Sequence, residues 1–294
     1  MRKGENHNGS MFLTACLITY NHKEYIAQAL ESVLSQKTAF TFDIVVADDF
    51  STDGTREILL NYKNLYPDRI HLILQSKNIG PGNNWKDLIT FSKSKYIAYL
   101  ECDDYWTDSN KLQKQVDALE QNKNCNICCT RAESLYNGDF ILQPFPDNHR
   151  RIFEYSDLIS IKNFINSATL LYRNILKEPF PDWFLKVPFG DLGLYMLLTR
   201  QSKIIYLEDV TAVYRVHPNG AWSGLSQIDK LEREFIYHQL IANHYTENEN
   251  EIVETRLSNV INEWSQIKYE NNFLKRLKFS FQKKKEYKYA RNAK

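Results

Sequence analysis

Apolar positions along the first hundred residues switch repeatedly between two periods. Residues 12–19 form a short run rich in Leu, Ile and Thr, the composition of a buried strand. Ile26, Ala29, Leu30, Val33 and Leu34 then recur at i, i+3, i+4, i+7 and i+8, which is one face of a helix. A second strand is expected over 42–47, centred on Ile44-Val45-Val46, with turn and cap chemistry from Ser51-Thr52-Asp53-Gly54 behind it. The next helix carries Ile58, Leu59, Tyr62 and Leu65 on one face and stops before Pro67. Residues 71–74 read as a third strand, Trp85, Leu88, Ile89 and Phe91 as a helix, and 96–100 as a fourth strand. Strands separated by single helices imply right-handed crossovers and an α/β architecture: a mostly parallel central sheet flanked by helices.

The pattern loosens farther along. Gly190-Asp191 precedes Leu192, Leu194, Leu197 and Leu198, consistent with a helix start, and 211–216 reads as a strand. Residues 225–271 look helical, with Leu231, Phe235, Ile236 and Leu240 on one face. Two regions are therefore expected: an α/β domain over 1–224 and a helical C-terminal extension over 225–294.

Composition changes this picture in one respect. Hydrophobic content of 43% and charged content of 25% are ordinary for a soluble globular chain. The net charge of +1 conceals an asymmetry: residues 272–294 hold nine Lys or Arg against one Glu, or +8, so 1–271 carry −7. In that basic tail Phe273, Leu274, Leu277, Phe279 and Phe281 interleave with the cations. Such a segment fits a peripheral position on the inner face of the cell membrane, with a solvated tail as the plain alternative; nucleic acid is not expected as a partner. No apolar run approaches the roughly 18 residues of a membrane span. The five cysteines, at 16, 102, 125, 128 and 129, lie largely in apolar or strand-like context, which suggests reduced core thiols and a cytoplasmic setting. Cys125, Cys128 and Cys129 have no second Cys/His pair at a zinc spacing.

The strand ends carry the chemistry. They read Tyr20-Asn21, Asp48-Asp49 and Glu101-Cys102-Asp103-Asp104, and ligands of open parallel sheets bind at the carboxyl ends of strands. Clustered acids repel one another and are costly to desolvate, so the third group suggests a divalent cation and, through it, a phosphate. A solvated acidic loop is the alternative. Neither G-x-G-x-x-G nor G-x-x-x-x-G-K-[ST] occurs, so neither a dinucleotide fold nor a P-loop is supported.

Leu17-Ile18-Thr19-Tyr20-Asn21-His22, Val46-Ala47-Asp48-Asp49-Phe50-Ser51-Thr52-Asp53-Gly54-Thr55, Asn78-Ile79-Gly80 and Leu100-Glu101-Cys102-Asp103-Asp104-Tyr105-Trp106 stand in the order seen in family 2 glycosyltransferases. The chain resembles that family over about residues 11–224. Gly190-Asp191, Tyr214-Arg215-Val216-His217-Pro218 and Trp222-Ser223 resemble its bacterial polysaccharide- or capsule-forming branch. The resemblance implies the GT-A (nucleotide-diphospho-sugar transferase) fold and inverting, metal-dependent transfer from a nucleotide-sugar donor, UDP-linked, to a glycan or lipid-linked acceptor. It implies donor contacts from Thr19, Tyr20, Asn21, Asp48, Asp49, Asn78, Glu101, Cys102 and Asp103. Glu101-Cys102-Asp103 takes the place of Asp-x-Asp, with Glu where the family has Asp. Asp103 and Asp104, with His217, are the expected ligands of Mn2+ or Mg2+, and Asp191 the expected general base. Asp191 as a helix N-cap, and Asp48 and Asp49 as turn formers, are the competing readings. Arg215 would meet either phosphate or a local acid. Trp222 and Ser223 would close over the donor, with Gly220 and Gly224 letting that loop move.

Two other classes are open. A sugar nucleotidyltransferase uses a related sheet, but Tyr20-Asn21-His22-Lys23 stands where its glycine- and arginine-rich phosphate loop belongs. A non-catalytic nucleotide-sugar-binding protein would not need Asp103, Asp104 and Asp191.

Overall fold

The structure, a computed structural model, describes residues 11–146, 150–161, 163–177, 179–188 and 190–292. Contacts divide the chain into two compact units. The first comprises Met1–Phe153, Ile165–Leu176 and Leu198–Val216; the second comprises Glu154–Phe164, Lys177–Leu197 and His217–Lys294. The division thus falls elsewhere than a single break at 224/225: two earlier excursions of the chain join the helical region.

The first unit is built on one sheet. Its strands are β1 (Leu13–Thr19), β2 (Phe42–Asp48), β3 (Ile70–Leu74), β4 (Tyr96–Glu101), β5 (Tyr105–Trp106), β6 (Cys125–Tyr136), β7 (Asp139–Leu142), β8 (Ile152–Phe153), β9 (Leu171–Arg173) and β10 (Lys203–Arg215). The helices are α1 (Ile26–Leu34), α2 (Thr55–Leu65), α3 (Pro81–Phe91) and α4 (Lys111–Gln121). Spatial order is β3-β2-β1-β4-β9-β6-β10-β5, with β7 on β6 and β8 on β10. The β3-β2-β1-β4 half is parallel throughout, as the single-helix spacing predicts. Beyond it the sheet is mixed: β9 runs antiparallel to both β4 and β6, while β10 runs parallel to β6. Of the parallel strands, β1, β2 and β4 are buried nearly end to end because helices cover them, while the edge strand β3 is mostly half-buried. Ile26, Ala29, Leu30 and Val33 are the buried face of α1.

All five cysteines are free and buried; Cys125, Cys128 and Cys129 lie in β6. One cation is buried with them. Lys111, at the start of α4, is fully buried, donates from Nζ to Gln115 Oε1 (2.6 Å) and lies 4.4 Å from the centre of the Trp106 ring. Burial lowers its pKa to about 7.

The second unit is helical: α5 (Tyr155–Ile161), most of α6 (Gly190–Thr199), α7 (Gln227–Leu240), α8 (Glu247–Lys268) and α9 (Phe273–Asn292). Thr246 and Glu249 close a capping box at the start of α8. Trp264 is buried between Phe235 and Phe279, and Tyr155 and Tyr237 share a hydroxyl hydrogen bond of 2.6 Å. Among the described residues no helix is long and apolar enough to cross a membrane.

Candidate active site

Parallel register gathers the polar residues of the first unit on one sheet edge. Thr19 of β1 pairs with Asp48 of β2, and Ile18 of β1 with Glu101 of β4. The chain leaves β2 and β4 still tied to β1: Asp49 N–H donates to Thr19 O and Cys102 N–H to Ile18 O, both at 3.0 Å.

The end of β2 is held by local bonds. Asp48 is fully buried; its Oδ2 meets Arg56 Nε at 2.8 Å and Nη2 at 2.6 Å, and its carboxylate also accepts from Ser51 N–H. Arg56 is anchored in turn on Gln75 O at 2.8 Å. Asp49 Oδ1 accepts from Ile79 N–H at 2.7 Å, so it fixes the loop that carries Asn78, whose Oδ1 accepts from Gly80 N–H at 3.2 Å. Asn21 has φ of 56° and cross-links the same turn, donating its N–H to Ser51 Oγ (2.8 Å) and accepting from Thr52 N–H (2.9 Å). Two aromatic side chains stand out beside this network: Tyr20 is 47% exposed and Phe50 39% exposed, the latter at φ of 65° with the Arg56 guanidinium 5.4 Å from its ring centre. A bulky residue held in the left-handed region is strained, and such strain gathers at functional sites.

The end of β4 is different. One carboxylate oxygen from each of Glu101, Asp103 and Asp104 lies within 4.8 Å of the others. Ser167 Oγ donates to Glu101 Oε2 at 3.5 Å, and His22 Nε2 lies 3.9 Å from Asp103 Oδ2. Asp104 is fully buried; its Oδ1 accepts from Arg215 N–H at 2.8 Å, while its Oδ2 is buried with no hydrogen-bond partner among the described residues. Burial raises the Asp104 pKa well above the carboxylate range, Asp103 and Glu101 raise it further, and Arg215 only partly opposes them. A divalent cation is what such a donor set lacks: hard oxygen ligands, excess negative charge and an oxygen without a partner. The acidic trio therefore fits a metal. Cys102, between the acids, turns its thiol into the core, where burial and the neighbouring carboxylates push its pKa well up.

Arg215, expected to meet phosphate or a local acid, reaches the backbone of the acidic loop. Its guanidinium donates to Asp103 O and Gln28 Oε1 and lies 4.9 and 4.6 Å from the Tyr25 and Tyr105 ring centres. It clamps the acidic loop from the end of β10.

Asp191 and His217 belong to the second unit. Asp191 is half-buried in the first turn of α6, where Asn163 Nδ2 donates to its Oδ2 at 3.0 Å. Burial raises its pKa, opposed by the Leu192 N–H and the Asn163 amide. His217 opens a tight turn in which its O accepts from Gly220 N–H (3.0 Å) and Ser223 Oγ (2.9 Å). The glycines allow close approach here: a Cβ on Gly224 would stand 2.2 Å from Pro218 O, and one on Gly220 would stand 2.1 Å from Ser223 Oγ. Trp222 carries Lys230 Nζ 5.3 Å from its ring centre.

Arg56, Phe50 and Asn163 were not singled out from sequence, whereas Ser167, read there as lining the acceptor side, meets Glu101 instead. Only Phe50, an aromatic directly after two strand-end acids, carried a readable signal; Arg56 and Asn163 act through contacts that no motif encodes.

Residues 14–180 match the model described as glycosyl transferase family 2. An uncharacterized protein of Mycobacterium tuberculosis is 34% identical over 212 residues, which cover 70% of this chain and 59% of that protein. The chain thus spans under two thirds of the length of that relative. The Escherichia coli UDP-Glc:alpha-D-GlcNAc-diphosphoundecaprenol beta-1,3-glucosyltransferase WfaP is 28% identical over 203 residues, covering 68% of this chain and 76% of WfaP. Residues 1–349 of S. aureus TarS, solved with UDP-GlcNAc, superpose with a TM-score of 0.64 at 18% identity over 96% of this chain and 90% of that one. The mannosyltransferase PcManGT of Pyrobaculum calidifontis, solved with GDP-Man and Mn2+, gives 0.63 at 15% identity over 92% and 73%. Both superpositions concern the fold.

Proposed function

This chain belongs to glycosyl transferase family 2 and is a glycosyltransferase, and on that premise we propose an inverting, metal-dependent enzyme that moves a sugar from a UDP-sugar to a lipid-linked glycan acceptor in surface polysaccharide synthesis. One observation carries the reading: three carboxylates converge at the end of β4, one of them buried with an oxygen left over. Mn2+ or Mg2+ on Asp103 and Asp104, with Glu101 beside them, would neutralise the diphosphate as it leaves. The UDP donor of WfaP and the UDP-GlcNAc bound to TarS support a uridine nucleotide, and the diphosphoundecaprenol acceptor of WfaP supports a lipid-linked one. The Mn2+ bound to PcManGT supports the metal.

The chain's own groups divide the work. Tyr20, exposed at the end of β1, stacks on the base, while Asn21, Asp49 and Asn78 shape the loops around it. Asp48 acts through Arg56, holding the turn. Asp191 accepts the proton of the acceptor hydroxyl; the acceptor oxygen forms the new bond at the anomeric carbon, and the bond to the diphosphate breaks with its electron pair on the departing nucleotide. A carboxylate whose basicity is raised by burial suits that role. His217 is assigned a contact to the diphosphate or its metal.

The test is a screen of nucleotide sugars with Mn2+, read as donor hydrolysis and transfer, beside Asp191→Asn. Turnover of a UDP-sugar that Asp191→Asn abolishes while donor binding persists is the expected result. Turnover of none, with no metal-dependent UDP binding by calorimetry, would end the proposal.

A further inference from the structure

Helix α9 has two apolar faces, and one of them is unused. Its inner face is accounted for: Phe279 packs edge-on against Trp264 at 4.8 Å, Tyr287 is buried with its hydroxyl donating to Asn250 Oδ1 at 3.0 Å, and Arg291 pairs with Glu254 at 2.7 Å. On the other side Phe273, Leu274, Leu277 and Phe281 are each more than half exposed. At 100° per residue these four fall within an arc of about 100°. Lys278, Lys284, Lys285 and Lys288 stand on the same outward side, all exposed. The helix's single acid, Glu286, is turned to Lys283 at 2.7 Å, so none of those four lysines meets it.

The chemistry of this face selects its partner. A merely solvated helix has no need of two phenylalanines and two leucines in one exposed row. A second copy of the chain would meet the face with itself, setting lysines against lysines. A soluble polyanion would use the lysines but not the apolar row. Large apolar side chains interleaved with lysines, whose stems lie along apolar surface while their heads reach out, match the boundary between acyl chains and anionic headgroups. Beside the face, a groove between α8 and α9 has apolar walls from Leu257 and Ile261, two ammonium groups from Lys284 and Lys288, and one carboxylate, Glu254, which pairs with Arg291. We propose that the outer face of α9 docks on an anionic phospholipid bilayer, with Lys284 and Lys288 meeting headgroup phosphates at the groove. The proposal rests on this helix and its neighbour alone, and stands whether or not the transferase reading holds.

The experiment is co-sedimentation of the full chain with vesicles of phosphatidylcholine alone or mixed with phosphatidylglycerol. Partition onto the anionic vesicles is expected to be stronger on the order of tenfold and to fall as salt is added. The pair Lys284→Glu/Lys285→Glu and the pair Leu277→Ser/Phe281→Ser are each expected to lower it on the order of tenfold. Circular dichroism and melting should be unchanged, since all four side chains are exposed. Equal partition onto both vesicle types, or none, overturns the proposal. It also fails if the serine pair binds like the parent while the glutamate pair does not, which would mark a polyanion patch. Light scattering that finds a dimer dissolved by the serine pair would give the face to a second copy instead.

Discussion

At the end of β2, Asp48 and Asp49 give their carboxylates to the protein: Asp48 to Arg56 and the Ser51 amide, Asp49 to the amide of Ile79. On the other side of β1, at the end of β4, Glu101, Asp103 and Asp104 converge within 4.8 Å, and a buried oxygen of Asp104 has no hydrogen-bond partner among the described residues. Both are acidic turns after buried strands, and as letters in a sequence they look alike. What separates them is the supply of donors. Where amides and a guanidinium already satisfy the oxygens, acids build a turn; where they fall short, the donor set fits a cation.

The largest expected effect tests the second half of that contrast. Asp103→Asn or Asp104→Asn should lower transfer by about a thousandfold, the scale of several kcal/mol of lost charge stabilisation. Each should also remove the rise in melting temperature that Mn2+ gives the parent. If either variant keeps both, the two strand ends do not differ in kind. Next, Arg56→Ala strands a fully buried carboxylate and should cost about 3 kcal/mol of folding stability by denaturant titration, while Mn2+ affinity is retained. Loss of Mn2+ affinity without loss of stability would reverse the roles of the two ends.

Lys111 extends the comparison to a buried cation. Its folded pKa of about 7 lies below the unfolded value of 10.5, so stability is greatest above the unfolded value and is lost as pH falls towards the folded one. Lys111→Met should therefore stabilise more at pH 6 than at pH 9, by about 3 kcal/mol on the linkage between the two pKa values. A gain independent of pH would mean the ammonium is not the costly group. Smallest is Asp49→Asn, which weakens the charged acceptor of Ile79 N–H. About 1.5 kcal/mol is expected, read as a lower denaturant midpoint, with Mn2+ binding unchanged.

The parallel half of the sheet was legible because short apolar runs alternate with helices of period 3.6 through Leu100. Beyond it the signals fail for identifiable reasons. Cys125–Tyr136 runs for 12 residues and passes from mostly buried to half-exposed along its length, and Leu171–Arg173 is only three residues long. Of β10 only 211–216 reads as strand, because Glu208-Asp209 interrupts it; there the pairing with β6 slips register between Leu207 and Val210. In the site, Asp103 and Asp104 announce themselves by clustering. Their distinction from Asp48 does not, since it depends on where Arg56 and Arg215 reach. The tail was legible as basic and aromatic, but its two faces became separable only once α8 was in place beside it.

Arg215 lies 111 positions beyond Asp104, yet it fixes that acid through its own backbone and fixes Asp103 through its guanidinium. The loop is thus completed by the last strand to be made, and loop closure over so long a span is slow. A nascent chain that has formed β1 to β4 holds the acids but not their clamp. The clamp on the acidic loop therefore closes late in folding, after β10 has joined the sheet.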